Sequence, residues 1–106
     1  MQTKLLKQVK NMELYKTTDN FAIKEIAESY VLVPIGQQIL KRNIIADLNE
    51  TAAFMYNELK SGNSIEKLVN AVLKEYSTDE ETAKKDVEEF IEQMVSIDAV
   101  TVKNDD

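Results

Sequence analysis

Residues 43–53 read Asn43-Ile44-Ile45-Ala46-Asp47-Leu48-Asn49-Glu50-Thr51-Ala52-Ala53, a strand that runs straight into a helix. Ile44, Ala46 and Leu48 fall on one face of a period-2 pattern, with Ile45 and Asp47 on the other. Asn49 is a favoured helix N-cap, because its side-chain oxygen can accept from an unpaired amide of the first turn. Glu50 follows at the positive end of the helix dipole. The junction divides the chain into a strand-forming half before it and a helical half after it.

On the N-terminal side, Phe21–Ile26 alternates weakly, with Phe21, Ile23 and Glu25 opposed to Ala22, Lys24 and Ile26. Ala27-Glu28-Ser29 is short enough for a hairpin loop, although it lacks the Asn-Gly or Asp-Gly signal. Tyr30-Val31-Leu32-Val33 is the strongest β run, rich in β-branched and aromatic side chains. Pro34 and Gly36 stop it. Gln37–Leu40 then serves as a second connection and Lys41–Leu48 as a third strand, which gives an antiparallel meander. Further upstream, Leu5, Leu6, Val9 and Met12 have helical spacing, yet Lys4, Lys7 and Lys10 leave little else to bury. Residues 1–19 are therefore expected to be an irregular arm, closed by the turn residues Thr17-Thr18-Asp19-Asn20.

On the C-terminal side the period becomes helical. Ala52, Ala53, Tyr56 and Leu59 recur at three- and four-residue spacing, and Gly62 is placed to end that helix. Ser64 caps a second helix with Ile65, Leu68, Val69, Val72, Leu73 and Tyr76 as its apolar stripe. Thr78 with Glu81 forms a capping box for a third, which buries Ala83, Val87, Phe90, Ile91, Met94 and Ile97. Asp98 takes the left-handed exit that glycine usually supplies. Residues 99–106 make a short extended tail. The order predicts one α+β domain over residues 1–106: a three-stranded antiparallel sheet at 20–48, then a three-helix winged helix-turn-helix unit at 49–98.

Composition narrows the chemistry. There is no histidine or cysteine among the 106 residues, which removes disulfides, thiol nucleophiles, Cys/His zinc sites and imidazole acid–base catalysis. No glycine loop cradles a phosphate. No enzyme activity, metal or cofactor is expected. No stretch approaches the roughly 20 apolar residues of a membrane span, so the expected location is the cytoplasm with no membrane partner. Met1, Met12, Met55 and Met94 read as gap fillers.

Charge is distributed unevenly. Residues 1–48 hold seven Lys/Arg and five Asp/Glu (+2), and residues 49–106 hold six and fourteen (−8), which sum to −6. The third helix with its flanks carries Asp79, Glu80, Glu81, Asp86, Glu88, Glu89, Glu92 and Asp98 against Lys84 and Lys85. These carboxylates read as a solvated face rather than a catalytic pair. A winged-helix DNA reader needs a basic recognition helix. DNA binding or transcriptional regulation is thus the alternative reading, and no nucleic acid is the expected partner.

The segments "FAIKEIAESYVLVP", "LNETAAFMYNELKSG", "SIEKLVNAVLKEY" and "DEETAKKDVEEFI", in this order over residues 20–98, resemble the PqqD-like family. Its members are peptide chaperones, or precursor-peptide recognition elements, of ribosomal peptide modification pathways. The Leu48-Asn49-Glu50-Thr51-Ala52 junction and the later Asp86-Val87…Phe90 helix are the most specific part. Departures are Ala27-Glu28 where many members have glycine, Tyr56 in place of tryptophan, and Asp98-Ala99 where glycine closes the third helix.

The resemblance implies a three-stranded sheet on a winged helix-turn-helix unit. It also implies binding of a precursor peptide's leader segment, presented to a modifying enzyme, often a radical S-adenosylmethionine enzyme. The leader would add as a strand to the third strand and lie against the third helix. The third strand of a meander has the open edge that this requires. The expected peptide-binding residues are Asn43, Ile44, Ile45, Ala46, Asp47 and Leu48 on the strand. On the helix they are Lys84, Val87, Glu88, Ile91 and Val95, which share one flank by three- and four-residue spacing; Val87 and Ile91 are equally readable as core. The same open edge could pair two copies into a homodimer.

Overall fold

The structure, a computed structural model, describes residues 13–36, 39 and 46–104. The element order is β1 (Glu13–Thr17), β2 (Phe21–Ile26), β3 (Ser29–Pro34), β4 (Ala46–Leu48), α1 (Glu50–Glu58), α2 (Ile65–Glu75), α3 (Glu80–Ser96) and β5 (Val100–Asn104). It is a mixed α+β fold: a three-stranded antiparallel sheet followed by three helices.

The sheet is the meander β2-β3-β4. Ile23, Leu32 and Ala46 lie side by side across it, and Tyr30 faces Leu48. Phe21, Leu32 and Leu48 are buried, and Ile23, Tyr30 and Ala46 pack against the same core. Lys24 and Asp47, on the alternate face, are exposed. The period of two therefore decides which side chains reach the helices. The third-strand reading of Lys41–Leu48 is met over Ala46–Leu48; residues 40–45 lie outside the described residues, as do 37 and 38.

The β2–β3 hairpin closes on Ala27 and Glu28, with φ of 49° and 68°. Positive φ at both central residues of a two-residue loop is the type I′ turn, whose twist matches that of paired strands. Two L-residues with side chains adopt it here without glycine, at a steric cost.

Each helix begins on a side-chain cap. Asn49 Oδ1 accepts from the Ala52 N–H at 2.7 Å, and Ser64 Oγ from the Lys67 N–H at 3.1 Å. For α3 the cap is Asp79, whose Oδ1 accepts from the Thr82 N–H at 3.1 Å. The expected Thr78 cap is displaced by one residue. Asp and Thr are both capping types, and only the phase of the buried stripe separates them.

α3 ends as expected. Asp98 sits at φ 64°, its N–H donates to the Val95 carbonyl, and the Ala99 N–H reaches back to Met94 at 2.9 Å. That pair of bonds is a Schellman motif. α1 ends earlier than expected, at Glu58 with Leu59 as its cap. Gly62, at φ 94°, shapes the turn beyond.

The largest difference is a second sheet. β1 and β5 pair antiparallel as a ribbon, with Glu13 opposite Asn104 and Tyr15 opposite Val102. The arm expected over residues 1–19 is a strand from Glu13 to Thr17, and the expected tail is its partner; residues 1–12 lie outside the described residues. The other side of β1 is also engaged. Tyr15 and Asn63 exchange N–H···O bonds at 2.8 and 2.9 Å, and the Thr17 N–H donates to the Leu59 carbonyl at 3.1 Å. The ribbon pins the start of the described chain to its end.

One hydrophobic cluster runs from Phe21 to Val100, with Leu32, Leu59, Leu68 and Val87 wholly excluded from solvent. Burying side chains of this size stabilises by about 1.5–3 kcal/mol each. Among the described residues no helix is long and apolar enough to cross a membrane.

Candidate functional site

Among the described residues, β3 has partners on both sides, and β4 has one. Which groups β4 turns outward follows from the register. In a two-residue hairpin the pair flanking the turn, Ile26 and Ser29, is hydrogen-bonded, and bonded and non-bonded pairs then alternate. β3 residues 29, 31 and 33 thus spend their amides on β2, and residues 30 and 32 turn theirs toward β4. The pairs Tyr30–Leu48 and Leu32–Ala46 are the bonded ones, whereas Val31–Asp47 is not. The N–H and C=O of Asp47 consequently face away from the sheet.

At the foot of β4, Asn49 opens onto a groove of about 230 Å³ between the start of α1 and α3. Thr51, Ala52 and Met55 form one wall, and Asp86, Glu89, Phe90 and Gln93 the other. Its floor includes the buried Met55 and Phe90, and its α3 rim is polar.

The expected helix residues are placed elsewhere on α3. Val87 is wholly buried and Ile91 nearly so. Lys84 and Glu88 line a groove of about 440 Å³ with Glu13, Tyr15 and residues of α2. Glu88, Ile91 and Val95 line a second, about 730 Å³, with Tyr15 and Val102. Both run beside the ribbon. At 3.6 residues per turn, the 84-88-91-95 row and the 86-89-93 row stand roughly 180° apart around α3. The expected flank and the groove at Asn49 therefore open on opposite sides of the helix. Of the expected strand residues, Ala46 and Leu48 face the core and Asp47 faces solvent; Asn43, Ile44 and Ile45 lie outside the described residues. The row at 86, 89 and 93 obeys the same spacing rule and lines the groove at Asn49.

The titratable groups follow their surroundings. Burial, and then the Glu13 carboxylate, raises the Tyr15 hydroxyl above its ordinary value; that hydroxyl donates to Glu13 Oε1 at 3.2 Å. Burial likewise raises Tyr56 and Tyr76. Hydrogen bonds from Thr82 hold the Asp79 carboxyl below its usual range.

The sequence profile of the family described as coenzyme PQQ synthesis protein D (PqqD) matches residues 29–100, more than half of the chain. The chain belongs to the PqqD family. That match starts at β3, so β1 and β2 of this PqqD-family chain precede it. Two solved structures share the fold. One, "TbiB1 in complex with the TbiA(beta) leader peptide", is 22% identical, with a TM-score of 0.65 over 80% of this chain and 93% of that one. The other, "lasso peptide synthetase B1 complexed with the leader peptide", is 17% identical, with a TM-score of 0.66 over 82% and 96%. No curated protein matches the chain.

Proposed function

We propose that this PqqD-family protein binds the leader segment of a ribosomally made precursor peptide and presents it to a modifying enzyme, performing no chemistry itself. The observation that carries the reading is the open edge of β4, with the Asp47 N–H and C=O turned outward beside a groove that ends on α3. An extended peptide can continue the meander there, taking its register from main-chain bonds. Its alternate side chains would enter the groove over Met55 and Phe90, and Asp86, Glu89 and Gln93 would meet its polar groups. Residues 43–48 form the strand side of this site, and the 86-89-93 row, rather than Lys84, Glu88 and Val95, forms the helix side. The leader-peptide complexes of the two similar structures support the same reading. By the family resemblance the enzyme served is often of the radical S-adenosylmethionine type, and the proposed working location is the cytoplasm.

The test is an amide chemical-shift titration of the labelled full chain with a candidate leader peptide, and with duplex DNA in parallel. Shifts at Asp47 and Gln93 with peptide are expected. Saturation by the peptide with both amides unmoved, or shifts with DNA alone, would overturn the reading.

A further inference from the structure

The two grooves beside the ribbon share Tyr15, Ile65 and Glu88, so they form one continuous depression along α2, α3 and the ribbon. Its floor is apolar. Ile91 and Val69 are buried beneath it, and Val95 and Val102 remain 38% and 44% exposed. Its walls are acidic: among the described residues, Glu13, Glu66, Glu80, Glu88, Glu89 and Glu92 stand against Lys84 and Lys85. All but Glu13 are exposed, so their charges are available to a partner. A large apolar-floored depression with a rim of one sign is the complement of a segment with apolar side chains down one face and lysines or arginines along its borders.

We infer that the ribbon groove is a docking surface for a basic amphipathic segment of a second protein. On the reading given under Proposed function, on which the identity of that protein rests, it is the modifying enzyme. The 84-88-91-95 row of α3 faces this groove and the 86-89-93 row faces the β4 side. One helix thus separates two partners: among the described residues only Glu89 lines both grooves, so leader and enzyme can be held at once on surfaces that meet at that single side chain. Charge selects the second partner, since the acidic walls repel an acidic segment of the same shape.

The probe is a synthetic lysine–leucine amphipathic peptide, with its glutamate–leucine counterpart as control, titrated into the labelled full chain with and without a leader peptide. The lysine peptide should shift Val95 and Val102, leave Asp47 unmoved, and bind equally in the presence of leader; the glutamate peptide should not bind. Glu66→Lys with Glu92→Lys should weaken the lysine peptide about tenfold. Glu58→Lys with Glu75→Lys, the same charge change placed between α1 and α2, should weaken it far less. Equal weakening by both pairs would reduce the effect to the general attraction of a basic peptide for an acidic chain and overturn the inference. So would mutual displacement of leader and lysine peptide. Occupation by the chain itself would also overturn it, read as carbodiimide cross-links from Lys4, Lys7 or Lys10 to the groove glutamates of the monomer, as would concentration-dependent dimerisation that shifts Val102. Leader binding at Asp47 is read in the same spectra, so its failure is separable from failure of the groove.

Discussion

The Thr18 hydroxyl donates to the backbone carbonyl of Asp98 at 2.6 Å, fastening the β1–β2 turn to the exit of α3. Asn20 Nδ2 donates to the same oxygen at 3.0 Å, and the Thr18 N–H to the Ala99 carbonyl at 2.9 Å. Thr18→Val removes the hydroxyl donor while keeping a β-branched side chain. It should lower stability by about 0.5–1.5 kcal/mol in urea unfolding, with leader affinity unchanged. Unaltered stability would mean that Asn20 alone suffices to hold the turn.

The same family of experiment applies to the hairpin. Ala27 and Glu28 occupy positive φ at a site where Asn-Gly is the favoured pair. Ala27→Asn with Glu28→Gly should raise stability by about 1 kcal/mol, seen as a higher melting temperature. The tip is exposed and far along the chain from β4, so peptide binding should not respond.

Leu59 is wholly buried, and its carbonyl accepts from both Thr17 and Gly62 N–H groups at 3.1 Å. Leu59→Ala should cost about 2–5 kcal/mol. The exchange protection of the Thr17 amide should fall more than that of Lys24, whose N–H is spent on β3, because Leu59 anchors β1 directly. Equal losses would place the ribbon and the meander in a single cooperative unit.

Asp79 gives a pH dependence of known sign. Thr82 hydrogen bonds favour its ionised form, so its folded pKa lies below the ordinary 3.8. The group contributes stability that is fully present above the unfolded pKa and is lost as pH falls through the folded one. Asp79→Asn keeps a capping oxygen without the titration. The stability difference between the natural chain and this variant should therefore shrink between roughly pH 5 and the low end of the acid range. A difference independent of pH would remove Asp79 from the acid response.

At the open edge, Asp47→Pro deletes the outward N–H while leaving the bonds of Ala46 and Leu48 to β3 intact, a setting in which a sheet tolerates proline. Leader binding should fall by about tenfold or more, and the far-ultraviolet dichroism should be unchanged. Equal loss of both would mean that Asp47 bonds inward and the edge lies elsewhere.

Much of this architecture is local and could be read in advance. Asn49 and Ser64 cap because of what they are, the period of two sets Leu32, Ala46 and Leu48 inward, and Asp98 tolerates the left-handed exit. The ribbon is the opposite case. Glu13–Thr17 and Val100–Asn104 each have an ordinary, half-polar composition, and what makes them strands is a partner at the far end of the chain and a second hold from Asn63 and Leu59. Neither appears in a local window. The spacing of α3 could not rank its two rows for the same reason, because 84-88-91-95 and 86-89-93 obey one helical period and only the packed structure sets one beside the ribbon and the other beside Asn49.

The pairing of β1 with β5 also sets an order of assembly during synthesis. Everything that shapes the β4 edge and its groove is in place once the ribosome has released the chain through Gln93. Thr17 and Tyr15 can already hold the 59–63 turn at that stage. Val102 arrives last, and only then does Tyr15 gain the neighbour that completes the acidic depression. A nascent chain would thus carry a finished peptide edge before it had a finished ribbon face, so the second surface forms only after β5 has emerged to pair with β1.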